Sequence, residues 1–221
     1  MKRYALIVAA GTGSRMNAGL PKQFMQLSGR PVLFYSLSSF YNYDQAIEII
    51  LVLSENEIER WKGLCSEFNI LIPHLIVSGG ATRTKSVQNG LRFVNEGLVA
   101  IHDGARPLVS AELIDNCFQS ALVYGSGVAC VQPKDSIRIV EGNSNRALNR
   151  DDYRLMQTPQ TFQVELIKMA FETSGNEDST DDATIFERAG HIISLVNGDY
   201  KNMKITTQED LIIAECFLKV Y

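Results

Sequence analysis

The sequence predicts an α/β protein built on a Rossmann-like, doubly wound, mainly parallel sheet. In the first half of the chain, apolar runs typical of buried strands alternate four times with segments of helical periodicity. Loops at Gly11, Gly79 and Asp103 follow three of these strands, at the edge of the sheet where ligands bind in such folds. With 221 residues, 45% of them hydrophobic, we expect a single domain over residues 1–221 with a large core.

The predicted strands and helices of the first half follow one another in a regular order. The first strand is the apolar run at residues 4–8, and the next helix begins near Pro31, a residue favoured in first turns. Ser110 is the expected N-cap of the helix after the fourth strand. The second strand is predicted at residues 47–53 with a helix at 55–68, and the third strand at 74–77 with a helix at 82–94. The fourth strand is predicted at 98–102, before the helix that Ser110 caps.

From about Pro133 the pattern changes. Residues 135–141 alternate between polar and apolar, Gly142 and Asn143 suit a turn, and residues 146–150 resemble a return strand. We therefore expect a β-hairpin arm with polar faces at residues 133–152.

Beyond the arm we predict three helices and two strands. The helices lie at 162–172, from a cap within 180–182 to Ala189, and after a cap at Thr206 or Thr207. The strands lie at 192–196 and, as a short strand, around Lys204.

Composition and charge narrow the class of protein. The net charge of −4 gives no general attraction to nucleic acid or anionic membranes, so cations that bind phosphate must be concentrated locally. The chain begins directly with a strand and contains no apolar run of membrane-spanning length. The scattered Cys65, Cys117, Cys130 and Cys216 have no metal-binding spacing and are interpreted as reduced core thiols. We expect a cytoplasmic protein.

The loop after the first strand is a candidate phosphate site. Gly11 and Gly13 allow a tight turn whose backbone amides can face an anion, while Arg15 and Lys22 add full charges. The dinucleotide fingerprint would need a third glycine at Met16, and the P-loop would need a lysine after a glycine. A long loop with Arg and then Lys suits an extended triphosphate. The alternative is a solvated turn with incidental cations.

Asp103 is a candidate magnesium ligand. It ends an apolar strand, where a carboxylate can hold Mg²⁺ against phosphate oxygens, since Mg²⁺ takes few protein ligands. The alternative is a helix cap or a turn. His102 has no neighbouring Cys or His and is interpreted as structural.

Two further segments could contribute to a nucleotide site. The loop from Gly79 to Ser86 could recognise a base edge through backbone groups and the Ser86 hydroxyl, although capping explains Thr82 equally well. Lys204 is a third candidate phosphate cation, with an exposed lysine as the alternative. Asp181 and Asp182 lie where a helix cap is expected. The sequence contains no nucleophile motif.

Several short motifs occur in a characteristic order along the chain. They are the opening loop, Gly-Gly at 79–80 with Arg83 and Ser-Val-Gln-Asn-Gly-Leu at 86–91, His-Asp-Gly-Ala-Arg-Pro at 102–107, Thr-Pro-Gln-Thr-Phe at 158–162, Thr-Asp-Asp-Ala at 180–183, and Met-Lys-Ile-Thr at 203–206 with Glu-Asp-Leu at 209–211.

The opening loop resembles the nucleotidyltransferase signature, and the order and spacing of the other motifs are similar to the 2-C-methyl-D-erythritol 4-phosphate cytidylyltransferase family of the non-mevalonate isoprenoid pathway. The resemblance covers nearly the full chain, and its most specific part is the block at 102–107. The sequence departs from the family at Ala81, where an acidic residue is common, and at Ser136, where a threonine is common.

The resemblance implies a nucleotide-diphospho-sugar transferase-like fold and transfer of a cytidylyl group from CTP to methylerythritol phosphate. It implies a Mg²⁺ ion bound by Asp103, which Mn²⁺ could replace. It also implies a homodimer joined by the 133–152 arm. The implied roles are nucleotide binding for Ala9, Ala10, Gly11 and Gly13, phosphate binding for Arg15, Lys22 and Lys204, cytosine recognition for Gly80, Ala81 and Ser86, and acceptor binding for Arg106, Ser136, Arg150, Thr158 and Thr180, with Arg150 reaching the partner's pocket.

Two other functions stay open at this point. One is a cytidylyltransferase for another polyol phosphate such as ribitol 5-phosphate, since that related family shares the loop and the fold. The other is a catalytically silent nucleotide-binding regulator. The presence of all four of Arg15, Lys22, Asp103 and Lys204 argues against the regulator.

Overall fold

A seven-stranded, mainly parallel sheet forms the centre of the protein in a computed structural model, which describes residues 1–11, 20–173 and 179–219. Two smaller two-stranded sheets accompany it. The strands are β1 (Arg3–Ala9), β2 (Gln26–Leu27), β3 (Arg30–Pro31), β4 (Glu48–Leu53), β5 (Leu75–Ser78), β6 (Leu98–Asp103), β7 (Ser126–Val131), β8 (Ile137–Glu141), β9 (Ser144–Leu148), β10 (Leu155–Gln163) and β11 (Leu195–Asn197).

The strand order in the main sheet is β11-β7-β10-β6-β1-β4-β5. β1 pairs in parallel with both β4 and β6, and β4 pairs in parallel with β5. β10 is antiparallel to both of its neighbours, β6 and β7. The carboxyl ends of β1, β4, β5 and β6 therefore meet at one edge of the sheet, as the sequence predicts.

Helices cover both faces of the sheet, which confirms the doubly wound architecture. Alternate residues of β1 point into different cores: Ala5 and Ile7 belong to one, while Tyr4 and Leu6 belong to the other. All four are fully buried, because a central strand of a parallel sheet has no solvent face. The helices are α1 (Val32–Tyr43), α2 (Ile58–Glu67), α3 (Arg83–Leu91), α4 (Ala111–Tyr124), α5 (Val164–Thr173), α6 (Asp182–Arg188) and α7 (Gln208–Lys219).

Side-chain caps fix where three of these helices begin. Thr82 accepts a hydrogen bond from the Lys85 amide at the start of α3, and Ser110 accepts one from the Leu113 amide at the start of α4. Asp181 is the corresponding cap of α6. Each side chain satisfies one of the amides that a helix N-terminus leaves without a partner.

The structure corrects the prediction for the segment around Phe162. The predicted helix at 162–172 begins only at Val164, because Phe162 belongs to β10, where it is fully buried and pairs with Val99 and Ser126. Neither β10 nor β7 is predicted from the sequence. β10 lies between two strands and buries polar residues such as Thr158 and Gln160, so it lacks the apolar pattern of a buried strand.

Residues 203–205 do not form the predicted short strand. Ile205 makes a single backbone hydrogen bond to the Ala105 carbonyl, 2.8 Å long. Ile205 is fully buried in a small cluster with Leu27, Val32 and Ala214, so packing holds this segment in an extended path without a strand ladder.

The segment predicted as an arm forms a hairpin, with β8 and β9 paired antiparallel around Gly142 and Asn143. These two strands form a sheet separate from the main one. Arg150 lies after the return strand, in a short 3-10 turn over Arg150–Asp152.

The structure also tests the interpretation of the four cysteines as core thiols and the expectation that no segment spans a membrane. All four cysteines are free thiols, and Cys117 and Cys130 are buried. The interpretation of all four as core thiols is wrong for the exposed Cys216, and Cys65 is only partly buried. Among the helices that the structure describes, none combines the length and the apolar character needed to cross a bilayer.

Two glycines give a matched test of the packing of α4 on β7. A Cβ at Gly127 would lie 2.3 Å from the Cys117 carbonyl oxygen of α4, so we expect Gly127→Ala to lower the free energy of unfolding by about 3 kcal/mol through overpacking. Gly63 in α2 has open space around it, so Gly63→Ala should raise the free energy of unfolding by about 0.5 to 1 kcal/mol. Urea unfolding of both variants measures the changes, and equal stability of the two would contradict the close α4–β7 contact.

Candidate active site

A cavity of about 300 Å³ lies at the carboxyl-terminal edge of the sheet. It is bordered by the loops after β1, β5 and β6 and by the segment that carries Lys204. The predicted site residues that line it are Ala9, Ala10, Gly11, Lys22, Gly80, Ala81, Ser86, Asp103 and Lys204.

Asp103 lies at the centre of a group of three cations. Its Oδ2 atom lies 2.9 Å from Lys204 Nζ and 3.5 Å from Arg106 Nε, and its Oδ1 atom lies 3.6 Å from Arg83 Nε. Burial alone would raise the pKa of Asp103, but Lys204, Arg83 and Arg106 together hold it far below its ordinary value. Asp103 is therefore held in its carboxylate form. It caps none of the helices that the structure describes, but its carbonyl accepts a hydrogen bond from the Arg106 amide at 3.0 Å, so it does begin a turn.

His102 is a structural residue whose hydrogen bonds hold the backbone around Asp103. Its Nε2 atom lies 3.0 Å from the Arg106 carbonyl, which can only accept, so Nε2 carries the proton. Nδ1 therefore accepts a hydrogen bond from the Thr158 hydroxyl at 3.0 Å, and Thr158 Oγ1 accepts one from the Asp103 amide at 3.1 Å. Complete burial lowers the pKa of His102 to about 4, in keeping with a neutral ring.

The segment before Lys204 is tied to the loop after β6. Asn202 is fully buried, its side-chain amide donates to the Thr158 carbonyl at 2.7 Å, and its own carbonyl accepts from Arg106 Nη1 at 2.7 Å. These contacts bring Lys204 to Asp103, so the alternative of an incidental exposed lysine is wrong.

The loop between β5 and α3 approaches the loop after β1 closely. The Ser86 hydroxyl accepts from the Gly80 amide at 3.0 Å and donates to the Thr82 carbonyl at 2.9 Å, which fixes the shape of the loop. A Cβ at Gly79 would lie 2.6 Å from the Ala10 Cβ, so only glycine permits this approach. Thr82 caps α3, as one interpretation of this loop predicts. Gly80 and Ser86 line the cavity, and recognition of a base edge by this loop stays a prediction.

The start of the loop after β1 is held by Gln23. This buried side chain donates to the Ala9 carbonyl at 2.9 Å and to the Gly11 carbonyl at 3.3 Å. The neighbouring Lys22 begins a 3-10 turn, Lys22–Phe24, at the wall of the cavity. The predicted site residues Gly13 and Arg15 lie outside the described residues.

The predicted acceptor-binding residues are not brought together. Arg106 and Thr158 lie behind Asp103 and make internal hydrogen bonds, and neither is among the residues that line the cavity. Ser136, Arg150 and Thr180 are exposed and do not line it either.

Several residues near the site have no functional role predicted from the sequence, although Asp182 lies where a helix cap is expected. Arg83 lines the cavity and forms a bidentate ion pair with Asp182, which is fully buried. Gln160 accepts hydrogen bonds from the backbone amides of Asp182 and Ala183. Arg83 and Asp182 lie 99 positions apart in the sequence, so no local pattern reveals their pairing.

Fold and site together define a class of protein. A glycine-containing loop with a lysine, a second backbone loop facing the same cavity and an ionised carboxylate among cations are features of an enzyme that handles nucleoside phosphates. The arrangement contains cations for charge neutralisation at the carboxyl ends of parallel strands, and the class is that of α/β nucleotidyltransferases.

Comparisons with known proteins identify the family. The model of the 2-C-methyl-D-erythritol 4-phosphate cytidylyltransferase family matches residues 4–220. A protein of that name from Bacteroides fragilis is 43% identical over 219 residues, which cover 99% of this chain and 100% of that one. A protein of the same name from Clostridium botulinum is 40% identical over 224 residues, covering 99% and 98% of the two chains. The chain belongs to the 2-C-methyl-D-erythritol 4-phosphate cytidylyltransferase family.

Solved structures agree with this assignment. The 4-diphosphocytidyl-2C-methyl-D-erythritol synthase of Anaerococcus prevotii superposes with a TM-score of 0.84 at 30% identity, covering 99% of this chain and 98% of that one. The 2-C-methyl-D-erythritol 4-phosphate cytidylyltransferase of Thermus thermophilus gives a TM-score of 0.82 at 30% identity, covering 99% and 100%.

The buried neutral His102 makes stability depend on pH. Its pKa falls from 6.5 to about 4 on folding, so its contribution is complete above pH 6.5 and is lost as the pH falls toward 4. Between pH 7 and pH 4.5 this one group should remove about 2 kcal/mol from the free energy of unfolding. Urea unfolding at the two pH values should show a correspondingly smaller loss in His102→Gln than in the wild type. Equal losses in both proteins would mean that His102 is not held neutral.

Proposed function

We propose that this protein transfers a cytidylyl group from CTP to 2-C-methyl-D-erythritol 4-phosphate, the reaction for which its family is named. The products are 4-diphosphocytidyl-2-C-methyl-D-erythritol and pyrophosphate, and the reaction belongs to non-mevalonate isoprenoid biosynthesis. The observation that carries the proposal is an ionised Asp103 held among Lys204, Arg106 and Arg83 beside a cavity that Lys22 also lines.

The chemistry requires charge neutralisation more than acid or base catalysis. An oxygen of the acceptor phosphate forms a bond to the α-phosphorus of CTP, and the bond from that phosphorus to the bridging oxygen of pyrophosphate breaks. A phosphate monoester is already largely dianionic near neutral pH, so no general base is needed. The protein must hold the two phosphates in line and stabilise the negative charge that develops on the leaving pyrophosphate.

We assign the described residues to these tasks as follows. Lys22 and Lys204 neutralise the triphosphate, because both line the cavity and each carries a positively charged ammonium group. Backbone groups of Gly80 and Ala81 meet the cytosine, since Ala81 has no polar side chain and the Ser86 hydroxyl already bonds the loop. Ala9, Ala10 and Gly11 surround the nucleotide from the other side of the cavity.

We further propose that Asp103 binds Mg²⁺, which Mn²⁺ could replace. The donor chemistry fits this ion: Mg²⁺ prefers carboxylate oxygen and takes most of its other ligands from water and substrate phosphates, so one protein carboxylate can hold it. Among the residues that the structure describes, Asp103 Oδ1 has a single contact, 3.6 Å from Arg83 Nε, so it can accept a further partner. When bound, the ion would draw charge from the reacting phosphate oxygens.

The arm leads us to propose a homodimer in which each chain completes the acceptor site of the other. The hairpin forms its own sheet, and isolated hairpins are marginal in water, so a second copy would stabilise it. Ser136 and Arg150 do not line the cavity of their own chain, and in a two-fold dimer each arm could reach the other chain's cavity. Arginine suits this role because its planar guanidinium can bind a phosphate through two hydrogen bonds.

We place the enzyme in the cytoplasm, where thiols such as the exposed Cys216 stay reduced.

A pyrophosphate-release assay tests the reaction. We expect release with CTP and methylerythritol phosphate to exceed release with ATP, GTP or UTP, or with ribitol 5-phosphate as acceptor, by at least tenfold. Asp103→Asn should lower turnover by about a hundredfold or more, the range for losing one preorganised charge. Circular dichroism checks that the variant is folded, because the substitution leaves Lys204 and Arg106 without the carboxylate that they contact. Preference for ribitol 5-phosphate would assign the chain the alternative acceptor.

Subunit complementation tests the shared site. Lys22→Ala and Arg150→Ala should each be nearly inactive, since each removes a phosphate contact from every site of its own homodimer. After random subunit exchange half of the dimers are mixed, and each mixed dimer has one intact site, so roughly a quarter of wild-type activity should return. Native mass spectrometry confirms exchange. If exchange is complete and the mixture stays as inactive as the single variants, Arg150 does not act across an interface.

A further inference from the structure

Arg83 contacts two carboxylates with very different geometry. Its Nη1 and Nη2 atoms lie 2.9 Å and 2.7 Å from the two oxygens of Asp182, which is a bidentate pair. Its Nε atom lies 3.6 Å from Asp103 Oδ1, which is too long for a strong hydrogen bond. The fork of the guanidinium is thus directed at Asp182, and only its side faces Asp103.

Asp182 is itself held firmly. It is the first residue of α6 and is fully buried, and its backbone amide donates to Gln160 Oε1 at 2.9 Å. The Ala183 amide donates to the same oxygen at 2.8 Å, and Asp181 caps the helix through the Thr184 amide at 3.0 Å. Gln160 belongs to β10, which lies beside β6, so α6 is anchored to the strand next to the one that ends at Asp103.

The two carboxylates compete for one guanidinium. A partly buried arginine without a close counter-ion is disfavoured, so a loss of the Asp182 charge would direct the Arg83 fork to Asp103. Asp103 Oδ2 already pairs with Lys204 at 2.9 Å, and Oδ1 would then pair with the Arg83 guanidinium. A full positive charge at hydrogen-bond distance from Oδ1 would repel a divalent cation from that oxygen.

We propose that Asp182 is a positioning residue that holds Arg83 in a bidentate pair and thereby keeps Asp103 Oδ1 available to the divalent cation. This inference rests on the proposed assignment of Mg²⁺ to Asp103. Asp182 acts through Arg83 and does not itself touch the cation. The pair also fixes the start of α3, where Arg83 follows the capping residue Thr82.

Direct metal binding tests the proposal without relying on turnover. Mn²⁺ is titrated into the protein with CTP present and no acceptor, and binding is followed by the water-proton relaxation that protein-bound Mn²⁺ enhances. We expect Asp182→Asn to weaken Mn²⁺ binding about tenfold, the scale for losing a residue that orients a metal ligand. The double variant Arg83→Met with Asp182→Asn should bind Mn²⁺ within about threefold of the wild type, because the competing cation is gone.

The double variant separates the proposal from a purely structural role. Loss of structure alone would make the double variant at least as weak as Asp182→Asn, and that result overturns the proposal. Asp181→Asn is the matched control, since Asp181 caps the same helix and forms no hydrogen bond to Arg83 among the described contacts; it should bind Mn²⁺ like the wild type. Dialysis with CTP in the presence of EDTA checks that nucleotide affinity is retained.

Two further results make the test decisive. If Asp182→Asn does not fold, Arg83→Lys takes its place: it keeps the charge but lacks the fork, so we expect several-fold weaker Mn²⁺ binding, and unchanged binding overturns the proposal. If the wild type shows no protein-dependent relaxation, or if Asp103→Asn shows the same relaxation as the wild type, Asp103 does not bind the metal ion. Either result overturns both proposals. Normal Mn²⁺ binding in the wild type and in Asp182→Asn alike overturns only the positioning role.

Discussion

The ionised carboxylate of Asp103 is the interaction on which the site depends. A buried carboxylate is unfavourable without counter-charges, and here Lys204, Arg106 and Arg83 supply them from three separate segments of the chain. The same three cations would repel one another without it. The site therefore forms only when the loop after β6, the start of α3 and the segment before α7 are all in place, which links folding to the assembly of the site.

The sheet supplies the geometry for this assembly. β1 pairs with β4 on one side and β6 on the other, so the loops that follow these parallel strands emerge at one edge. Gly79 permits close approach of the β5 loop to Ala10. Behind Asp103, the hydrogen bonds among His102, Thr158 and Asn202 hold the loop after β6 and orient it without contributing to the cavity surface.

Hydrogen bonds inside the protein distinguish residues that position the site from residues that are free to bind a ligand. The Thr158 hydroxyl and the Arg106 guanidinium both belong to motifs of the family, yet in the isolated chain they are engaged with the frame of the site. In our proposal Asp182 acts indirectly, through its ion pair with Arg83. The surface offered to a nucleotide is consequently made largely of backbone from small residues and of the long side chains of Lys22 and Lys204.

Sequence patterns alone determined the doubly wound class, the main-sheet strands β1, β4, β5 and β6 that flank the site, and the caps at Thr82 and Ser110. They also selected Gly11, Lys22 and Asp103, which the structure places around one cavity. These features are local: each depends on periodicity, on a cap or on a loop directly after a strand. Only the tertiary structure decided that β10 is an antiparallel strand, because its buried Thr158 and Gln160 hide the apolar pattern. Only the tertiary structure joined Lys204 to Asp103 and Arg83 to Asp182, because the partners are distant in sequence and their pairing is specified by packing across the sheet edge.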